Sequence, residues 1–113
     1  MEITLSGVYV QAIDEWLDKG VEHMDYGLQP MAQDWARISK VAEELGEAIS
    51  AFIGATGQNP RKGITNDGNE VLEELADTAM TAILAIQHFT KDTDTTATIL
   101  TDKLAAIYRR VPQ

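Results

Sequence analysis

Apolar residues recur every three or four positions in several stretches of the chain, and this spacing predicts amphipathic helices. The clearest stretch begins at Met31 and gives a long second helix one apolar stripe, formed by Trp35, Ile38, Ala42, Leu45, Ile49 and Phe52. A third helix carries a similar stripe, formed by Val71, Leu72, Leu75, Ala79, Ile83 and Ile86. We expect both stripes to face the hydrophobic core.

The two outer helices are shorter. Ser6 is a candidate N-cap for a first helix that extends through Leu17 and ends at Gly20. The segment 21–30 is then a connector. A fourth helix, marked by Ile99, Leu100, Leu104 and Ile107, stops before Pro112.

A loop joins the second and third helices. Residues 57–68, GQNPRKGITNDG, are rich in Gly and Asn, which favours a turn-containing loop. Asp67 and Glu70 have the spacing of a capping box, so we expect them to begin the third helix, which runs to about Phe89. The chain is expected to be a single all-α domain spanning residues 1–113, without an internal repeat.

Composition narrows the classes of partner. The 113 residues carry a formal charge of −9, which argues against binding to a nucleic-acid polymer or an anionic membrane. No apolar run reaches the roughly 18 residues that a membrane-spanning helix needs, and the N-terminus lacks the pattern of a secretory signal. There is no cysteine and so no disulfide framework. A cytoplasmic protein is expected.

Acidic residues cluster on the second and third helices, opposite the apolar stripes. A solvated surface is the usual interpretation of such clusters. However, Glu43 and Glu47 are like charges four positions apart, as are Glu73 and Asp77, and this spacing is unfavourable on a helix. No Lys or Arg lies between positions 63 and 90 to relieve the repulsion, and the last three turns of the third helix are apolar enough to be buried on all sides. We therefore expect the acids to line the edge of an interior surface.

The spacing of four acids is suited to a metal ion. Glu44 and Glu47 are three positions apart on one helix, as are Glu74 and Asp77 on the other. Two antiparallel helices that bear such pairs offer four oxygen ligands, which hard cations such as Mg²⁺ prefer. Positions would remain open for phosphate oxygens and water.

The pattern E43-E44-x-x-E47, followed after 26 residues by E74-x-x-D77, resembles the signature of the MazG-like all-α nucleoside triphosphate pyrophosphohydrolases. The flanking segments RISKVAEELGEAISAFIG and EVLEELADTAMTAILAI are similar to the two central helices of that family. The tail LTDKLAAIYRRVP is similar to its basic C-terminal helix. The resemblance covers residues 31–112.

The resemblance implies a bundle of four to five helices that is completed by assembly into homodimers or homotetramers. It implies Mg²⁺-dependent cleavage of a ribo- or deoxynucleoside triphosphate to the monophosphate and pyrophosphate by metal-activated water, with Mn²⁺ as an alternative ion. Glu44, Glu47, Glu74 and Asp77 would be the metal ligands. Glu43 would orient or deprotonate the water, and Glu44 is the rival for that role.

Basic residues near the motif could bind the phosphates. Lys103 and Arg110 resemble the Lys and Arg of the family's last helix, on which they would share one face. Arg61 and Lys62 lie in the loop between the acidic helices. Solvated surface charge is the alternative for all four. Ile107 stands where many members of the family have Asn, which puts a further substrate contact in doubt.

Two other functions stay open. A catalytically silent nucleotide or metal sensor would keep the acids and lose turnover. A structural helical oligomer would use the apolar end of the third helix as an interface and the acids as solubilising charge. His88 has no companion at metal-binding spacing and is interpreted as structural. The sequence leaves the base and sugar preference of an enzyme undecided.

Overall fold

Four α-helices make up the described part of the chain, residues 2–21 and 29–112 of a computed structural model. They are α1 (Gly7–Val21), α2 (Gln29–Thr56), α3 (Asn69–Thr90) and α4 (Thr93–Tyr108). The described ranges contain no strand, so the prediction of an all-α fold is confirmed. Within them, no helix combines the length and the apolar character needed to cross a membrane. The central part of the predicted connector, residues 22–28, lies outside the described residues.

Side-chain caps begin the first and last helices. The Ser6 Oγ atom accepts a hydrogen bond from the Tyr9 backbone N–H at 3.3 Å, as expected for an N-cap. The Asp92 carboxylate does the same for α4, where it accepts from the Thr95 backbone N–H at 3.2 Å. The helix then ends at Tyr108, before Pro112 as predicted.

The predicted capping box at the start of α3 is wrong. Gly68 is the N-cap residue, with a φ of 93°, and no side chain caps the helix. Asp67 Oδ1 instead accepts from the backbone N–H of Asn69, two positions on, at 3.0 Å. This local turn is an alternative use of an Asp side chain and leaves Glu70 without its capping partner.

The helices α2 and α3 form a closely packed antiparallel pair at the centre of the fold. Arg37 near the start of α2 donates to the Leu84 carbonyl near the end of α3. At the other end, Asn66 just before α3 donates to the Ala51 carbonyl. Gly54 permits the close approach of the loop, because a Cβ atom there would overlap the Thr65 hydroxyl.

The prediction that the two apolar stripes form the core is wrong. Ile49 and Phe52 remain 54% and 50% exposed, and Trp35, Ile38, Leu45, Leu72 and Leu75 are exposed as well. The buried apolar residues among those described are only Val10, Ala48, Ala51 and Ala85. The reason is that α2 packs its alanines and Glu44 against α3, so the larger apolar side chains are left along an open groove beside the contact.

The end of α3 is also less buried than expected. Ala85, Gln87 and His88 are buried there, but Phe89 is 55% exposed. The Gln87 Oε1 atom accepts from the Thr96 hydroxyl at 2.7 Å, which ties α4 back onto α3. Helix α4 therefore covers one side of α3, and the helix is not enclosed on all sides.

The molecule is flat, and the exposed apolar stripes form an apolar surface on it. We call Leu45, Ile49, Phe52, Leu72 and Leu75 the apolar face. A groove of about 270 Å³ lies within this face, and only apolar residues line it. The molecule measures 49 × 45 × 23 Å, and its radius of gyration is 17.3 Å, against about 13 Å for a compact chain of this length. Its accessible surface is 8613 Å², against about 6,100 Å² for a monomer of its mass.

Candidate metal-binding site

Three carboxylates from α2 and α3 converge in the middle of the helix pair. Glu44 projects from α2, and Glu74 and Asp77 project from successive turns of α3. One oxygen atom of each lies within 4.8 Å of those of the other two. The sequence placed these acids on facing helices, and the antiparallel packing of α2 and α3 brings them together. We call Glu44, Glu47, Glu74 and Asp77 the acidic cluster.

Two oxygen atoms of the cluster are buried and have no hydrogen-bond donor. Glu44 is 9% exposed, and its Oε2 atom has no partner. The Glu74 Oε2 atom is likewise buried and has no hydrogen-bond partner. A buried carboxylate oxygen that has lost water without gaining a donor destabilises the folded state. A proton or a cation at this point would relieve that cost.

Glu47 completes the cluster through its contact with Glu74. Burial raises the pKa of Glu74, and so do the hydrogen bond with the Glu47 carboxyl group and the charges of Glu47, Asp77 and Glu44. Two ionised carboxylates only accept hydrogen bonds, so neither can donate to the other. Their close approach is stable only when a proton or a cation lies between them.

Lys40 is the one cation within ion-pair distance of the five acids of the motif in the part of the chain that the structure describes. Its Nζ atom lies 3.1 Å from Glu43 Oε1 and 3.3 Å from Glu44 Oε1. The hydrogen bonds with Glu43 and then Glu44 raise the pKa of Lys40. Glu43, the predicted catalytic base, therefore lies at the rim of the cluster with its carboxylate beside Lys40.

Of the predicted phosphate-binding residues, Lys62 has the most defined surroundings. It lines a recess of about 260 Å³ at the C-terminal end of α2, together with Ser50, Asn59 and Thr65. Ser50 follows Glu47 by three positions, so the recess begins one helical turn beyond the acidic cluster on the same side of α2. The neighbouring Arg61 is exposed in the loop.

The other two predicted phosphate-binding residues do not share a helix face. Lys103 is exposed on α4, but Arg110 lies beyond its last residue. The Arg110 backbone N–H donates to the Ile107 carbonyl in a turn. The predicted two-turn alignment is wrong because α4 ends at Tyr108. Neither residue forms an ion pair with an acid of the described ranges.

A second polar cluster joins α1 to the α2–α3 pair, and sequence reasoning missed it. Arg37 Nη2 lies 2.8 Å from Asp14 Oδ1 and 3.1 Å from Asp18 Oδ1. Lys91 Nζ lies 2.9 Å from Asp14 Oδ2 and 2.6 Å from Asp18 Oδ2. Burial alone would raise the pKa of Asp18, but the hydrogen bond with Lys91 and the charges of Lys91, Arg37 and His88 hold it below its ordinary value.

His88 extends this network to the start of α2. Its Nε2 atom lies 2.7 Å from Asp34 Oδ1, and its Nδ1 atom lies 3.2 Å from Asp18 Oδ1 without the angle of a hydrogen bond. Asp14, Asp18 and His88 are close enough to share a metal ion. Because two basic side chains already neutralise the carboxylates, the cluster is better explained as an ion-pair network that holds α1 in place.

Comparison of the chain with models of protein families, with curated protein sequences and with solved structures finds no match.

Proposed function

We propose that the protein is a Mg²⁺-dependent nucleoside triphosphate pyrophosphohydrolase that converts a ribo- or deoxynucleoside triphosphate to the monophosphate and pyrophosphate. The observation that carries the proposal is the convergence of Glu44, Glu74 and Asp77 with two buried oxygen atoms that lack a donor. Glu47 and Asp77 are exposed, but a fully solvated face of acids would keep all its oxygen atoms in water. The buried oxygen atoms of Glu44 and Glu74 therefore favour a site built for a cation.

The donor set fits Mg²⁺, and Mn²⁺ as its substitute. All four groups of the acidic cluster are carboxylates, and hard divalent cations prefer oxygen ligands. A bound Mg²⁺ would offset part of the negative charge of the cluster, stabilise charge on phosphate oxygens and lower the pKa of water. Its ligands would be Glu44, Glu47, Glu74 and Asp77.

Glu43 is the proposed general base. It adjoins the metal ligand Glu44, and its side chain is 59% exposed, so substrate and water can reach it. In the proposed reaction, Glu43 accepts a proton from water while the water oxygen forms a bond to the α phosphorus. The bond from that phosphorus to the oxygen bridging the α and β phosphates breaks, and this oxygen leaves with pyrophosphate, so the nucleoside monophosphate remains. Glu44 is the alternative base. The phosphates of the substrate are proposed to contact four basic residues, which are Arg61, Lys62, Lys103 and Arg110.

A second copy of the chain is the proposed cover of the apolar face. The surface exceeds that of a compact monomer by about 2,500 Å², and an obligate homodimer buries 2,000 Å² or more between its two subunits. The five residues of the apolar face are large and exposed, whereas the core of the described chain is small. We therefore propose a homodimer, or a homotetramer built from such dimers.

Pyrophosphate release from a panel of ribo- and deoxynucleoside triphosphates, with and without Mg²⁺, tests the proposed activity. The proposal predicts release that depends on the metal. A silent sensor would give no release, but nucleotide and Mg²⁺ would raise its melting temperature. A structural oligomer would respond to neither ligand.

A further inference from the structure

Lys40 lies where the acidic cluster meets the exposed side of α2. It precedes Glu43 by three residues and Glu44 by four, so all three side chains emerge from the same side of the helix. The Lys40 Nζ atom is in contact with one oxygen of each carboxylate, the Oε1 atom in both cases. The second oxygen of Glu44 is the buried Oε2 atom that has no donor.

The two oxygen atoms of Glu44 therefore have different surroundings. Oε1 is held by an ammonium group, and Oε2 is left for the acidic cluster. The Glu44 side chain is only 12% exposed, so it has little freedom to exchange these roles. An isolated surface pair between helix neighbours is weak and mobile. The contact with Lys40 differs from such a pair because one partner is enclosed by α3.

We infer that Lys40 is a positioning residue, which holds Glu44 with a single oxygen directed at the metal site and keeps Glu43 beside it. This inference rests on the proposed function, because it assigns a role in the same site. The role resembles that of the groups that orient metal ligands in other proteins by binding the ligand atom that the metal does not use. Here the orienting group is the ammonium of Lys40, which is itself a cation beside a cation site. The role can therefore be tested by whether loss of Lys40 raises or lowers the affinity for a divalent ion.

If Lys40 acts only through its charge, neutralising it should change the divalent affinity in one direction. If Lys40 positions Glu44, neutralising it should change that affinity in the opposite direction. Removing a positive charge from the neighbourhood of a cation site should tighten divalent binding, by up to about tenfold. Losing the group that orients a ligand should weaken binding, by about 10- to 100-fold. A surface lysine with no role in the site would leave the affinity nearly unchanged.

The test is a titration of the full chain with Mn²⁺ alone, followed by calorimetry, at constant ionic strength and without nucleotide. The variants are Lys40→Met, which removes the charge, and Lys40→Arg, which keeps a cation able to bind both carboxylates. Lys19→Met is the matched control, since Lys19 is an exposed lysine of α1. Circular dichroism verifies that each variant is folded, and Lys40→Gln replaces Lys40→Met if the latter is not.

We expect Lys40→Met to bind Mn²⁺ at least about tenfold more weakly than the wild type, and Lys40→Arg and Lys19→Met to bind within about threefold of it. An unchanged or tighter affinity in Lys40→Met would overturn the positioning role and leave the metal site intact. Absence of Mn²⁺ binding in the wild type would overturn the proposed metal site itself, and the role of Lys40 with it.

Discussion

Shortening Ile49 to alanine should weaken the proposed dimer by about 30-fold. Ile49 belongs to the apolar face and is 54% exposed in the protomer. Full burial of an isoleucine side chain stabilises by about 1.5–3 kcal/mol, so burial of the exposed half contributes about 1 kcal/mol. A symmetric dimer contains the residue twice, which gives about 2 kcal/mol, or about 30-fold in the dissociation constant.

Sedimentation equilibrium over a range of protein concentrations measures this dissociation constant. Ile64→Ala is the matched control, because Ile64 is 72% exposed in the loop and lies outside the apolar face. We expect the control to dissociate as the wild type does. A second variant, Ile49→Asp, places a charge in the interface and should give a monomer.

Two results would refute this reasoning. A wild-type protein that is monomeric at every concentration tested would show that a second copy does not cover the apolar face. An Ile49→Ala dissociation constant equal to that of the wild type would show that the subunits associate through another surface. In either case the exposed stripes of α2 and α3 would need a different explanation.

Three further predictions follow from the acidic cluster and the ion-pair network. Mg²⁺ at a hundredfold excess over its dissociation constant should stabilise the wild type against unfolding by about 2.7 kcal/mol. This stabilisation is measured as a higher melting temperature. Equal stabilisation of Glu44→Gln or Asp77→Asn would contradict the metal site. Because burial and neighbouring carboxyl groups raise the pKa of Glu74, the metal-free protein should lose stability as the pH rises above 4.5 and through that raised value. Urea unfolding of Glu74→Gln should show less of this loss; an unchanged pH profile would argue against the shift. Asp14→Asn should cost about 3 kcal/mol in urea unfolding, since the Asp14 side chain is 2% exposed and binds two cations, whereas exposed Asp102→Asn should cost little.

The helices were predictable because each carries enough apolar periodicity to identify it without tertiary information. Helix α3 ends at Thr90, within one residue of the predicted end at Phe89, and α2 begins at Gln29, two residues before Met31. The capping box failed because Asp67 can satisfy a backbone N–H either two or three positions ahead, and the sequence alone does not choose between these turns.

The core face was not predictable in the same way. An apolar stripe indicates that a helix side must be covered, but not which part of the molecule covers it. The stripe that contains Ile49 and Phe52 borders an open groove beside α3 and stays about half exposed. The buried apolar residues of α2 are instead Ala48 and Ala51. Periodicity gives large apolar residues more weight than alanines, so the prediction assigned the wrong residues of α2 to the core of the protomer.

The acidic cluster could be predicted from the sequence, but the ion-pair network could not, because its members are far apart along the chain. Glu44, Glu74 and Asp77 could be placed together because their spacing and the hairpin of two helices define their relative positions. Asp14 and Lys91 are 77 positions apart, and nothing local links them. The one available signal was the pair of like charges at Asp14 and Asp18, four positions apart on α1.

Pyrophosphate release with Mg²⁺ by the wild type, Glu47→Gln, Asp77→Asn and the control Asp102→Asn tests the central claim most directly. Asp102 is an exposed acid of α4, so its variant carries the same change of charge outside the acidic cluster. The proposed function predicts metal-dependent release by the wild type and the control, and its loss in the two folded cluster variants. Equal release by all four proteins, or release that persists without a divalent cation, would contradict a catalytic metal site at these residues.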